Sequence, residues 1–303
     1  MRTSAGESFR AAPFIVLGIA LLAVSNGAIF ARLATAPPLA IAAWRLALAF
    51  VVVLPIALSA PRGRAVNRKS VAWAAVAGAL LAVHFSVWIA SLEHTTIARS
   101  VLFVSTAPIW VALLQFLSGR GTPSRATLHA LTLAIAGAAI VSGGGRGADA
   151  AVLGDALAIA GGVALAGYFL LSRKAQGALP FRTYLGVTYG TAAGLLWAAA
   201  LATGTQVSGF DGRTWWAFAG MAVISQLIGH SGYNWSLRHL DPLFVAVVSV
   251  GEPLLASLLG WWLLGEALDW RTGVGGLLIL AGIALATLGA RPANSATVDV
   301  PAA

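Results

Sequence analysis

The sequence predicts an all-α polytopic membrane protein, and three observations carry that prediction. Of its 303 residues, 59% are hydrophobic and 10% are charged, whereas a soluble domain carries about 25% charged residues. Mean hydropathy is +0.86, and the apolar residues fall into stretches of about 20, the length that crosses a hydrocarbon core of about 30 Å as a helix. Lys and Arg sit in the short gaps between those stretches. The net charge of +9 therefore reads as membrane topology and not as a nucleic-acid surface. The absence of cysteine excludes a disulfide framework and any Cys-ligated metal, and no cofactor is expected.

Ten spans follow in order, at 13–34, 38–60, 71–92, 96–118, 126–144, 151–173, 181–204, 214–237, 242–264 and 271–290. The first needs a check, because Arg2 and Arg10 ahead of it and Ala34-Thr35-Ala36 at its end imitate a cleavable signal peptide. Pro37-Pro38 directly after that site, and the length of Pro13–Leu33, favour a retained helix. Loops such as Pro61-Arg62-Gly63-Arg64 and Ser142-Gly143-Gly144-Gly145 are short and rich in Gly, Pro and charge. The tail 292–303 is Ala, Pro and polar and is expected to be disordered. With the N-terminus placed in the cytoplasm, 13 Lys and Arg fall inside and 5 outside, with Arg45 set apart within the second span. That bias puts both termini in the cytoplasm.

The chain repeats itself. At a shift of 145, Ser91-Leu92 falls on Ser236-Leu237, His94 on His239, Pro108 on Pro253, Ala136-Gly137 on Ala281-Gly282 and Gly144 on Gly289. Spans 3–5 match 8–10 in this way, and spans 1–2 match 6–7 only loosely. Residues 1–147 and 148–291 then form two five-helix repeats. An odd number of spans per repeat inserts the second one upside down, a pattern tied to secondary transporters.

The ninth span, within Asp241–Glu266, carries Glu252 and Pro253 at its middle. A carboxylate there costs about 2.5–3.5 kcal/mol on insertion scales, so it must face protein or water. Pro253 leaves the carbonyl of Ser249 without its helical partner, so the helix is expected to break beside the acid. Pro108 should break the fourth span likewise, with Ala107 where Glu252 stands in the other half.

The run VGEPLLASLLGWWLLGEALDWRTGVGGLLILAGIAL (Val250–Leu285) resembles the end of EamA-type members of the drug/metabolite transporter superfamily. There an (E)P motif opens helix 9, Gly-Glu closes it and a Gly-rich helix 10 follows. Pro38 with Arg45 resembles the early Pro-to-Arg pattern of the same family, and the chain is most similar to its YddG-type amino-acid exporters. The resemblance implies a ten-helix inner-membrane exporter of small metabolites, with a cavity between the two halves. The four-helix multidrug relatives carry an acidic residue in their first helix, where this chain offers Ser25 and Asn26. Proton-coupled drug antiport by that route is not implied.

Polar residues within spans are the candidates for the substrate cavity, because each is costly without a partner. His84, Trp88 and Ser91 share a face of the third span, and Gln226, His230 and Asn234 share one of the eighth. Tyr233 falls on Trp88 under the repeat, so each half is expected to present an aromatic ring to one central space. Ser249 and Glu252 flank the break in the ninth span, and Tyr168 and Asn26 are further wall candidates. Arg45 has three readings: a substrate carboxylate, a snorkelling head, or a pair with Glu93, the last two being favoured. Gly186, Gly190 and Gly194, like Ala158, Gly162 and Ala166, are small-residue stripes for helix packing. Trp261, Trp262 and Trp270 read as an interfacial belt.

Two rival readings fit the sequence less well. Gly229-His230-Ser231-Gly232 has the shape of an intramembrane serine protease motif, but His230 and Ser231 are adjacent on one helix and point about 100° apart. A passive channel fits poorly, because channels line continuous pores through symmetric subunits. Gly143-Gly144-Gly145-Arg146-Gly147 lacks the ending of a phosphate loop. The expectation is a monomeric secondary transporter in the lipid bilayer of the inner membrane, not an enzyme, exporting amino acids or similar metabolites by alternating access. A multidrug or cationic-compound exporter of the same fold is the alternative.

Overall fold

The structure, a computed structural model, describes residues 4–59, 67–95, 97–119, 122–141, 150–264 and 270–289. The tail 292–303, the loops at 61–64 and 142–147, and the Gly265-Glu266 pair that closes the ninth span lie outside them. The described residues form helices joined by short loops, with no strand among them. Seven helical runs are long and apolar enough to cross a membrane.

In chain order, α1 (Ser4–Val24) and α2 (Gly27–Leu33) make one apolar run interrupted at Ser25–Asn26. Next come α3 (Pro38–Leu58) and α4 (Arg68–His94). The run Arg99–Leu117 is divided into α5 (Ile97–Val104) and α6 (Ala107–Leu117). After α7 (Arg125–Val141) follow the long α8 (Ala150–Gln176) and α9 (Phe181–Ala202). Then α10 (Gly212–Gly220), a π-helix (Met221–His230) and α11 (Ser231–Ser236) run end to end. Finally α12 (Pro242–Ser249) and α13 (Glu252–Leu264) are divided at Val250–Gly251, and α14 (Trp270–Gly289) closes the series. The helices α7 and α14 contain shorter apolar stretches, Arg125–Ile140 and Gly273–Ala286.

Side chains start several of these helices. Asn67 accepts from the Lys69 amide at 2.9 Å, Asp211 from Thr214 at 2.9 Å and Asp241 from Leu243 at 2.8 Å, each taking one of the donors a helix N-terminus leaves free. Proline sits in the first turn of α3, α6 and α12, where its missing N–H costs nothing.

The three breaks have two causes. Pro108 and Pro253 cannot donate to the carbonyls four residues back, those of Val104 and Ser249, and α5 and α12 end on those residues. The first break has no proline. There the Ser25 hydroxyl and the Asn26 amide donate to the carbonyls of Leu21 and Leu22, at 2.8 and 2.9 Å. Such back-bonding competes with the helical ladder and bends it.

The shift of 145 carries α5 onto α12 at both ends, Ala107 onto Glu252, and Arg125 at the start of α7 onto Trp270 at the start of α14. The contact between α7 and α14 is reciprocal in the same register. A Cβ on Gly137 would lie 2.5 Å from the Gly275 carbonyl oxygen and 2.8 Å from the Ile279 nitrogen. A Cβ on Gly282 would lie 2.7 Å from the Ala130 oxygen and 2.8 Å from the Ala134 nitrogen. Each glycine thus meets the positions that its own twin's helix offers in return, the signature of an isologous contact. Gly137 lies beyond Ala130–Ala134 in its helix and Gly282 beyond Gly275–Ile279 in the other, so the two helices cross antiparallel.

Elsewhere α4 packs on α8 and α9, α3 on α9, and α1 on the π-helix and α11. Of the stripe on α9, Gly186 meets Ala57 and Gly190 meets Phe50, both on α3, while Gly194 has nothing within 4 Å. On α8, Gly162 fits against the carbonyl of Val104 at the end of α5. Trp261, Trp262 and Trp270 are exposed, as a belt requires. Beyond the opposite break, Arg99 pairs with Asp155, tying α5 to α8, and Thr95 donates to the same carboxylate at 3.4 Å.

Candidate functional site

The three broken runs meet at one small cavity. Val24, Val104 and Ser249, the last residues of α1, α5 and α12, all line it. The other walls are Arg45 from α3, His84, Phe85 and Trp88 from α4, Leu165 from α8, His230 and Tyr233 from the π-helix and α11, and Glu252 at the start of α13. Its volume is about 20 Å³, room for about one water. Helix C-termini bring partial negative charge to this space, and Arg45 brings a full positive one.

Arg45 is 1% exposed. Its Nε donates to Gln226 Oε1 at 2.9 Å, and its guanidinium lies 3.8 Å above the Phe85 ring, a cation–π contact of about 2 kcal/mol when desolvated. It neither snorkels nor pairs with Glu93, which is exposed. The favoured sequence reading fails because Gln226 and Phe85, from two other helices, hold the guanidinium inward. Gly27 makes room beside it, since a Cβ there would lie 3.3 Å from the Trp88 ring and 3.7 Å from Arg45 Nη1.

His84 Nδ1 lies 2.9 Å from the Gly161 carbonyl. The carbonyl can only accept, so Nδ1 carries the proton and Nε2 is left as an acceptor. The His84 and Trp88 rings are parallel within 2° at 6.1 Å, and His230 stands 5.0 Å from Phe85 edge to face and 6.0 Å from Tyr233. Five buried polar atoms around the cavity have no hydrogen-bond partner among the described residues, namely Arg45 Nη2, Trp88 Nε1, Gln226 Nε2, His230 Nδ1 and Tyr233 OH. Each such atom costs about 1–3 kcal/mol until something bonds it.

The other expected wall residues are placed differently. Gln226 stands behind Arg45. Tyr168 accepts from Asn234 Nδ2 at 2.5 Å, in a polar seam where Tyr184 OH reaches Asn234 Oδ1 at 2.8 Å and Ser172 at 2.6 Å. Asn26 is spent on the first break, and Ser91 bonds Ser100 at 2.6 Å, joining α4 to α5. The Ser231 hydroxyl is bonded to Tyr189 at 2.9 Å and lies 3.3 Å from the Gln226 carbonyl. Among the described residues its hydrogen bonds go to Tyr189 and the Gln226 carbonyl and not to a histidine. Phe85, Val24, Val104 and Leu165 escaped the sequence reading because they are ordinary apolar residues. For Val104, the proline four residues on was a usable signal.

The EamA-like transporter family matches residues 10–143 and again 152–288. The chain belongs to this family. Two matches in tandem agree with two repeats, and the membership makes the protein a multi-pass membrane transporter with a small-molecule substrate. Among its relatives is an "uncharacterized transporter" of Archaeoglobus fulgidus, 27% identical over 284 residues, spanning 92% of this chain and 98% of that one. Another is the "uncharacterized transporter YwfM" of Bacillus subtilis, 25% identical over 88% of each chain. A solved crystal structure, 21% identical, superposes on 92% of this EamA-like chain and 99% of its own with a TM-score of 0.75, and so shares its fold.

Proposed function

We propose that this EamA-like protein is a secondary transporter that exports amino acids or similar small metabolites across the inner membrane by alternating access. The observation that carries the reading is the small cavity where the ends of α1, α5 and α12 meet, walled by both halves of the chain. Its volume of about 20 Å³ admits no metabolite, so loading requires the halves to part on one side. In this reading the seven long runs, α7, α14 and the composite α10–π–α11 run count as ten crossings, with both termini in the cytoplasm. The antiparallel contact of Gly137 and Gly282 supports the inverted relation of residues 1–147 and 148–291. His84, Trp88, His230, Tyr233, Ser249, Glu252 and Arg45 face the substrate in this reading, with Gln226, Tyr168 and Asn26 behind them, and the chain acts as a monomer.

The test is counterflow in proteoliposomes across an amino-acid panel. Saturable flux of at least one amino acid is expected, and none across the panel overturns the reading. Glu252 alone would favour a cationic-compound exporter. Arg45 in the same cavity opposes a bare cation, and transport of tetraphenylphosphonium in preference to every amino acid would reverse that judgement.

A further inference from the structure

We propose that the cavity is a zwitterion clamp, in which Arg45 takes a substrate carboxylate and Glu252 takes an ammonium of the same molecule. The proposal rests on the cavity being the substrate site.

The guanidinium of Arg45 and the carboxyl of Glu252 line one small cavity without forming an ion pair, the bridge found among the described residues being Arg99–Asp155. Both are buried, Arg45 at 1% and Glu252 at 9% exposure. The fittings around Arg45 leave one side of it open. Gln226 takes Nε and Phe85 covers a face of the guanidinium, while Nη2 has no partner. Trp88 Nε1, in the same cavity wall and also unpartnered, adds a neutral donor that a carboxylate accepts. Glu252, at the start of α13 in the same cavity, is the acidic group that suits an ammonium.

Charge balance makes the clamp selective. With Glu252 ionised, it and Arg45 give the cavity no net charge but a strong internal dipole. A zwitterion lies along that dipole and compensates both groups. A carboxylate alone leaves Glu252 facing an added negative charge, and an amine alone leaves Arg45 uncompensated. In a water-poor site neither excess is screened. The rings of Phe85, Trp88 and His230 in the walls suit an apolar body between or beside the charged ends.

The experiment uses the full chain in detergent and three probes with one ring and one chain length: L-phenylalanine, phenethylamine and 3-phenylpropionate. Binding is read by isothermal titration. Phenylalanine is expected to bind at least about tenfold more tightly than either single-charge probe, about 1.4 kcal/mol. Glu252→Gln should weaken phenylalanine and move the ranking toward phenylpropionate, and Arg45→Gln should move it toward phenethylamine. Should Arg45→Gln fail to fold, Arg45→Lys keeps the charge without the fork and should weaken phenylalanine while preserving the wild-type order. Equal binding of phenylalanine and phenethylamine by the wild type overturns the clamp. So does a ranking that both charge-removing variants leave unchanged, or a wild type that binds none of the three. Saturable amino-acid flux alongside any of these results leaves the transport reading standing and removes only the clamp.

Discussion

Replacing Gly137 by Ala puts a methyl group 2.5 Å from the Gly275 carbonyl oxygen, about 0.9 Å inside the 3.4 Å at which ordinary contact begins. The obstacle is backbone, so no side chain can turn aside, and the α7–α14 crossing must open by nearly that amount. Overpacking of this kind costs about 1–3 kcal/mol. Gly282→Ala meets the Ala130 oxygen at 2.7 Å and should cost a similar amount. The two contacts flank one crossing, so the opening forced by either methyl also relieves the other. The double variant should therefore fall short of the sum by about 0.5–1.5 kcal/mol, within the usual range for coupled neighbours. Gly273→Ala, on α14 with nothing within 4 Å, serves as the control and should be neutral or slightly stabilising. Denaturation in mixed micelles, followed by the fluorescence of the 11 tryptophans, reads all four. Strict additivity, or a Gly137→Ala variant as stable as Gly273→Ala, would refute the reciprocal packing.

Asn234→Leu strips Tyr168 of its donor and Tyr184 of one acceptor and should cost about 1–3 kcal/mol in the same unfolding assay. Tyr184→Phe, which leaves the Asn234–Tyr168 bond in place, should cost less, and equal losses would deny Asn234 its central role. The chain has no cysteine, so single cysteines report sidedness cleanly. Ser208→Cys, in the loop after α9, should react with an impermeant maleimide in intact cells, and Ser118→Cys, after α6, only once the membrane is opened. The reverse pattern inverts the proposed orientation. Asp211 at the start of α10 has its carboxyl held below the ordinary value by hydrogen bonds from the side chain and then the backbone of Thr214. A lowered folded pKa gives stability that is present above the unfolded value and lost as pH falls through the folded one. Thermal midpoints should thus drop below about pH 4 more steeply in the wild type than in Asp211→Asn, whose cap does not titrate. Identical acid profiles would show that this cap contributes nothing.

The helical runs were legible in the sequence because a span announces itself by length and hydropathy, and two of the three breaks because proline removes a donor. The break at Ser25–Asn26 was not, since polar side chains bond backward onto a helix in many places without interrupting it. Nor did anything in Met221–His230 mark it as a π-helix, a distinction that lies in which carbonyl each amide chooses. At the site, composition found the costly residues, yet their arrangement depends on neighbours far along the chain. Arg45 is fixed by Gln226, 181 residues away, and the periodicity of one helix cannot report that distance. Asn26 and Ser91 were chosen for being polar and prove to be committed to carbonyl and hydroxyl partners nearby.

The first break has no counterpart in the second half, where α8 runs unbroken from Ala150 to Gln176. Two identical halves related by an axis in the membrane would make the inward-facing and outward-facing forms mirror states of equal energy. Each position where the halves differ contributes to a gap between them, and about 1.4 kcal/mol is enough for a tenfold preference. In the proposed alternating-access cycle, an interruption in one half that is missing from the other would give the empty protein a resting side. With two EamA-like matches in one chain, the proposed export would draw its direction from the residues in which they differ.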